Sequence, residues 1–184
     1  MQFLSKEEKE KILELFAIQS WVESAWNKKA IRFEKHIMDK VKIALYNPKM
    51  REGISNDTFK AILSTSYGLP QLMGFNIAMI YQERRGYDLY GKTLWQFIAD
   101  NYLQSEGMQI DYWYCFCRHI ITFTHTDLIQ ILRDIRNNNK SLMLLEFARL
   151  YNGSYGYAEL LLSAKDVKLN NFLIKFPEAK NYLF

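Results

Sequence analysis

The segment ILSTSYGLPQLMGFN, residues 62–76, limits what this chain can fold into more than any other stretch. Ser64, Thr65 and Ser66 run into Gly68, Pro70, Gln71 and Gly74. The segment is too apolar for a solvated loop and too broken by Gly and Pro for a helix. Apolar residues recur at helical spacing on either side of it. The expected fold is therefore mainly α, with a turn buried beside polar side chains. Only 64–73 has room for a small β-hairpin.

The first helix carries the clearest signals. Ser5-Lys6-Glu7-Glu8 is a capping box, in which Ser5 takes the Glu8 amide and Glu8 reaches back. Ile12, Leu15, Phe16, Gln19 and Val22 follow at helical spacing, a stripe interrupted only by Gln19. The spacing predicts a helix over 6–24, with Glu23 in its last turn. A second helix is predicted over 34–46, stopped by Asn47-Pro48. A loop at 49–56 and a short helix over 57–63 follow. Further helices are expected near 76–83, 93–103, 106–121, 127–136, 140–151, 156–163 and 166–175. Asn152-Gly153 ends the one at 140–151.

With 184 residues and 49% hydrophobic content, the chain is expected to form one globular domain, 1–184. No repeat or low-complexity run divides it. The net charge of +4 is spread along the chain, with no Lys/Arg cluster dense enough to argue for nucleic acid. A mild positive charge suits an anionic polymer such as a bacterial cell wall. No apolar run reaches the ~18 residues of a membrane span, and the N-terminus lacks the pattern of a signal peptide. Cys115 and Cys117, two apart on a helix, point to different faces and are expected to stay unbridged. No set of ligands has metal-site spacing, so neither metal nor cofactor is expected.

Three fragments, WVESAWNKKAIRFEKHI (21–37), STSYGLPQLMGFN (64–76) and EFARLYNGSYGY (146–157), together resemble the N-acetylmuramidase family of phage endolysins. The family pattern runs V-E-S, F-E-R-H-I/F, S-x-S-W/Y-G-x-x-Q-I-M-G-F-N and F-A-R-x-Y-N-G. SEGMQIDYWYCF (105–116) stands where the family carries S-E-x-x-Q-L and an aromatic helix. The resemblance runs from about residue 17 to about 158. More distantly, ESAWNKKA, YGLPQLM and ARLYNG are similar to blocks of soluble lytic transglycosylases. It implies a lysozyme-like helical domain of the goose-type and lytic transglycosylase kind. It also implies hydrolysis of the β-1,4 bond between N-acetylmuramic acid and N-acetylglucosamine. The partner would be the peptidoglycan glycan strand, met by a monomer without a separate wall-binding module. Such an endolysin is made in the host cytoplasm without a signal peptide and acts at the wall, in the periplasm, after release.

Cleaving a glycosidic bond requires a carboxylic acid that is still protonated. Glu23 sits at the negative end of its helix, where a carboxylate is disfavoured, and Trp21 and Trp26 are close enough in sequence to desolvate it. The resemblance makes it the general acid. Gly68 and Gly74 would let backbone approach a bound polymer, and Ser66, Tyr67 and Gln71 would bond sugar hydroxyl and N-acetyl groups. By the same likeness Tyr151 and Asn152 approach the substrate, with the Tyr151 hydroxyl orienting Glu23.

A second carboxylate is harder to place. Goose-type lysozymes carry aspartates where this chain has Ser64-Thr65-Ser66. Glu34 and Asp57 remain, and Glu34, in the RFEKH block, is preferred; an ion pair with Arg32, Lys35 or His36 is its alternative role. The chain departs from the family at Pro70, and after Asn152-Gly153, where the usual P-G-Y-x-x-N-x-Y is missing. Two other functions stay open. A lytic transglycosylase needs one acid/base only and leaves 1,6-anhydro ends. A non-catalytic wall-binding or virion structural protein would use the scaffold without chemistry.

Overall fold

The computed structural model describes residues 4–182. In chain order the elements are α1 (Lys6–Ser24), β1 (Ile31–Phe33), α2 (Lys35–Met38), α3 (Asn56–Leu63), β2 (Thr65–Tyr67), β3 (Leu72–Met73), α4 (Gly74–Glu83) and α5 (Gly86–Tyr90). Then come α6 (Leu94–Phe97), α7 (Glu106–Cys115), α8 (His125–Arg136), α9 (Leu142–Asn152), α10 (Tyr157–Ser163) and α11 (Leu169–Lys175). Helix accounts for 67%, so the molecule is mainly α with a small three-stranded antiparallel sheet. The chain forms two compact units, one from residues 1–26 and 113–184, the other from 27–112.

The first unit is organised around α1. Ser5 Oγ accepts the Glu8 amide at 3.3 Å and the Glu8 carboxylate accepts the Ser5 amide at 2.8 Å, so the expected capping box is present. The middle of α1 is largely buried: Ile12, Leu13, Leu15, Phe16, Ala17, Ile18, Gln19 and Ser20 are all inaccessible. A helix buried over so many consecutive residues is a core helix rather than a surface one. It packs on α8, α10 and α11, with Phe16 edge-on to Trp113 (5.2 Å) and Phe172 (5.8 Å). Asp134, buried near the end of α8, accepts from Gln130, Asn139 and Ser141, which fixes the turn into α9.

The second unit holds the segment 62–76. β2 and β3 form the expected hairpin, with Ser66 opposite Met73 and Tyr67 opposite Leu72. The sheet has a third strand. β1 pairs with β2, placing Ile31, Arg32 and Phe33 opposite Tyr67, Ser66 and Thr65. This overturns the predicted helix over 34–46. Its place is taken by a single turn, α2, and a 3₁₀ turn at Ile43–Leu45. The pairing continues beyond β1, since the Glu34 amide bonds the Ser64 carbonyl at 2.9 Å. The basic side chains Lys35, Lys40 and Lys42 leave too little apolar face here to hold a longer helix. The loop expected at 49–56 contains another 3₁₀ turn, Pro48–Arg51, whose cap is Asn47. α5 was not foreseen either.

The turn between β2 and β3 is buried, and a buried backbone must find hydrogen-bond partners. Its own polar side chains provide them. Gln71 Nε2 donates to the carbonyls of Gly68 (2.9 Å) and Ala30 (3.2 Å). Ser66 Oγ lies 2.9 Å from Gln71 Oε1 and 3.2 Å from the Arg32 carbonyl. Tyr67 donates to the Ile62 carbonyl at 3.0 Å. Gln109, from α7, accepts the Leu69 amide at 2.6 Å and donates to the carbonyls of Lys28 and Tyr102. The two glycines serve this packing. A Cβ on Gly68, whose φ is +76°, would stand 2.5 Å from Gln109 Oε1, and one on Gly74 would stand 2.1 Å from the Ile62 carbonyl oxygen. The close approach at both is to the protein's own atoms.

Burial of this turn has a pH consequence. Burial pushes the Tyr67 phenol up to about 12, with a Thr65 hydrogen bond opposing. A folded-state value above the unfolded one gives stability that is full below the unfolded pKa, near 10, and lost as pH rises through about 12. A phenol held that far above its ordinary value contributes on the order of 3 kcal/mol from Tyr67 alone. Tyr102 and Tyr112, shifted in the same direction by burial, add to it. Melting temperature should hold to about pH 10 and fall steeply beyond it. A flat profile to pH 12 would mean that Tyr67 is solvated.

Candidate functional site

Glu23 lies in the last turn of α1, half-buried, with no basic residue in that turn. An ionised carboxylate is unfavourable there, because the last carbonyls of the helix point at it. The chain leaves the helix abruptly. Ala25 and Trp26 both adopt positive φ (48° and 60°), a conformation that costs a non-glycine residue about 1 kcal/mol. Trp26 holds the exit in place: its Nε1 donates to the Ala17 carbonyl at 2.8 Å, and its ring meets Trp21 and Phe172 edge-on. These contacts tie the two tryptophans to the exit of α1.

The neighbours that define the site are Tyr157 and Gln19. Tyr157, first residue of α10, is 3% exposed. Its hydroxyl interacts with the Glu23 carboxylate and with Gln19. Burial holds the phenol well above its ordinary value, and the charge and hydrogen-bonding of Glu23 raise it further. The Tyr157 phenol therefore keeps its proton and faces the Glu23 carboxylate as a neutral hydroxyl. Gln19, one helical turn before Glu23, is fully buried, and its Oε1 accepts the Trp113 indole N–H at 2.8 Å. Neither the Tyr157 hydroxyl nor Gln19 Nε2 closes a hydrogen bond of full geometry. Both polar atoms are buried beside Glu23 without a hydrogen-bond partner. Two buried polar atoms left this way carry a free-energy cost, of a kind native structures accept where the groups have other work.

Tyr151 is half-buried and belongs to the same aromatic cluster. It stacks on Tyr157 (6.1 Å, 7°) and Phe147 (5.6 Å) and meets Phe116 edge-on (5.3 Å). Phe116 opens a π-type turn at the end of α7, where the helix widens. Asn152 is exposed, and Gly153 follows with φ +79°, the helix stop expected from Asn-Gly. Cys117 is buried, which pushes its thiol well up and leaves it inert, and both cysteines are unbridged.

The other expected site residues belong to the second unit. Ser66, Tyr67 and Gln71 are 1%, 7% and 8% exposed, and their polar atoms are taken up by the turn described above. Glu34 stands just before α2 without a side-chain bond to the helix; Arg32 Nε bonds its carboxylate at 2.5 Å and His36 Nδ1 is 3.8 Å away. The ion pair considered for Glu34 is therefore present. Asp57 is exposed in the first turn of α3. Among the described residues no three His, Cys, Asp or Glu side chains group as a metal site would require, and no helix is long and apolar enough to cross a membrane.

No protein-family model, curated protein or solved structure matches the chain. The case for function thus rests on the sequence blocks and on the surroundings of Glu23. Two members of those surroundings were not assigned a role from sequence. Gln19 had a visible signal, the one polar interruption in the α1 stripe, four residues before Glu23. Tyr157 ends the block EFARLYNGSYGY, in which Tyr151 and Asn152 drew the attention.

Proposed function

We propose that this protein is a peptidoglycan muramidase, hydrolysing the β-1,4 bond between N-acetylmuramic acid and N-acetylglucosamine, with Glu23 as general acid. The observation that carries the reading is the place of Glu23 at the negative end of a core helix, beside the buried phenol of Tyr157. The two influences serve successive steps. The helix end favours the protonated acid before the reaction. The Tyr157 donor stabilises the carboxylate left once the proton has gone to the leaving oxygen. Tyr151 positions Tyr157 by stacking, and Asn152 is free to meet a sugar.

A lytic transglycosylase is the second reading. It is favoured by the engagement of Glu34 with Arg32, which occupies the best candidate for a water-activating carboxylate. There the 6-hydroxyl of the sugar attacks in place of water, and Glu23 alone serves as acid and base. Loss of turbidity of purified peptidoglycan on addition of the protein tests both readings against a non-catalytic one.

Tyr157→Phe separates positioning from folding. It keeps every ring contact and removes only the donor. Because the hydroxyl closes no full hydrogen bond, stability should change by less than about 1 kcal/mol. The rate of lysis should fall about tenfold, the value of one hydrogen bond to the Glu23 carboxylate made only once its proton has left. Unchanged lysis with unchanged melting would remove Tyr157 from the mechanism.

A further inference from the structure

The charge of the chain is less even than its total implies. Residues 28–51 hold eight Lys/Arg against Glu34 and Asp39, so this stretch carries +6 where the whole chain carries +4. Lys28 is tied to Glu106 and Arg32 to Glu34, but Lys35, Lys40 and Lys42 make no ion pair among the described residues. The same stretch exposes large apolar side chains: Leu45 (68%), Ile31 (61%) and Phe33 (50%). Lys40 and Lys42 flank a groove of about 370 Å³ in the second unit, lined by Ile37, Val41, Leu45, Phe75 and Met79.

We propose that this groove and its lysine rim are a docking surface for an anionic lipid bilayer. Bases alone would suit any polyanion, and an apolar groove alone any greasy partner. The two are interleaved here: Lys40 and Lys42 line the same groove as Ile37, Val41, Leu45 and Met79. A bilayer surface meets both demands at once, with phosphates for the ammonium groups and acyl boundary for the protruding side chains. A soluble polyanion offers Leu45 and Met79 nothing to bury against. The protein would sit on the surface, not span it. This surface is independent of the chemistry at Glu23.

Co-sedimentation with vesicles tests it. The wild type should bind vesicles of mixed phosphatidylglycerol and phosphatidylcholine at least about tenfold more tightly than phosphatidylcholine alone, with binding weakened by salt. The double variant Lys40→Glu, Lys42→Glu should bind the anionic vesicles at least about 25-fold more weakly, as each lysine near such a surface is worth about fivefold. Leu45→Ser, at a site too exposed to unfold the chain, should weaken binding about fivefold through lost apolar burial. Unchanged circular dichroism of both variants secures the comparison. Equal binding to both vesicle types, or none to either, overturns the proposal. So does normal binding by Leu45→Ser together with full competition by dextran sulfate, which would make the surface a site for soluble polyanions.

Discussion

Replacing Glu23 by Gln is expected to lower the rate of peptidoglycan lysis by at least about 10²-fold, and up to about 10⁴-fold, while melting stays where it is or rises slightly. The range is that of a general acid contribution. Gln keeps the shape of the side chain and can still accept from Tyr157, so packing is preserved. It removes the transferable proton and also the charge that the end of α1 disfavours by a few tenths of a kcal/mol. Activity lost with stability kept is the signature of chemistry rather than structure. Glu34→Gln is the internal comparison. It breaks the pair with Arg32, which is largely exposed and therefore worth little. A loss there as deep as that of Glu23→Gln would promote Glu34 to an equal partner in hydrolysis. Retention of more than about a tenth of wild-type lysis by Glu23→Gln would end the assignment of the acid.

Gly74→Ala should be the most destabilising single-methyl change in the molecule. The added Cβ would stand 2.1 Å from the Ile62 carbonyl oxygen and 3.0 Å from Leu63 Cα. Both are backbone atoms of α3 and cannot rotate away. Overpacking against a rigid neighbour costs up to about 3 kcal/mol, sometimes more, which in a chain of this size lowers melting by about 6–12 °C. Gly156→Ala is the control, because its Cβ would meet only Ser154 Oγ, at 3.4 Å, without positive φ. That change should be neutral, or stabilising by a few tenths of a kcal/mol through the unfolded state. Equal melting of the two variants would show that α4 does not seat against α3 in this way.

What could be read from the sequence was what local chemistry determines. α1 spans Lys6–Ser24 because the Ser5–Glu8 box starts it and its apolar content sustains it, all within one stretch of chain. The hairpin was legible for the same reason, since Gly68 and Gln71 supply the two positive φ values its turn requires. β1 was not. Ile31-Arg32-Phe33 has no strand signal of its own, and its partner is 34 residues away. The helix predicted over 34–46 failed because spacing alone does not say whether a face exists to bury it. At the candidate site, Glu23 was visible from its place at a helix end. Tyr157 was not, because its burial against Gln19 and Glu23 depends on how α10 packs on α1. The polar residues of 64–71 were visible as unusual but open in meaning: a buried turn and a sugar site ask for the same side chains.

The most direct test of the central claim is mass spectrometry of purified peptidoglycan after incubation with the protein. The account predicts muropeptides with ordinary reducing N-acetylmuramic acid ends, released by the wild type and absent with Glu23→Gln. Exclusive 1,6-anhydro ends would contradict hydrolysis and assign the protein to the transglycosylases, and an undigested wall would contradict catalysis altogether.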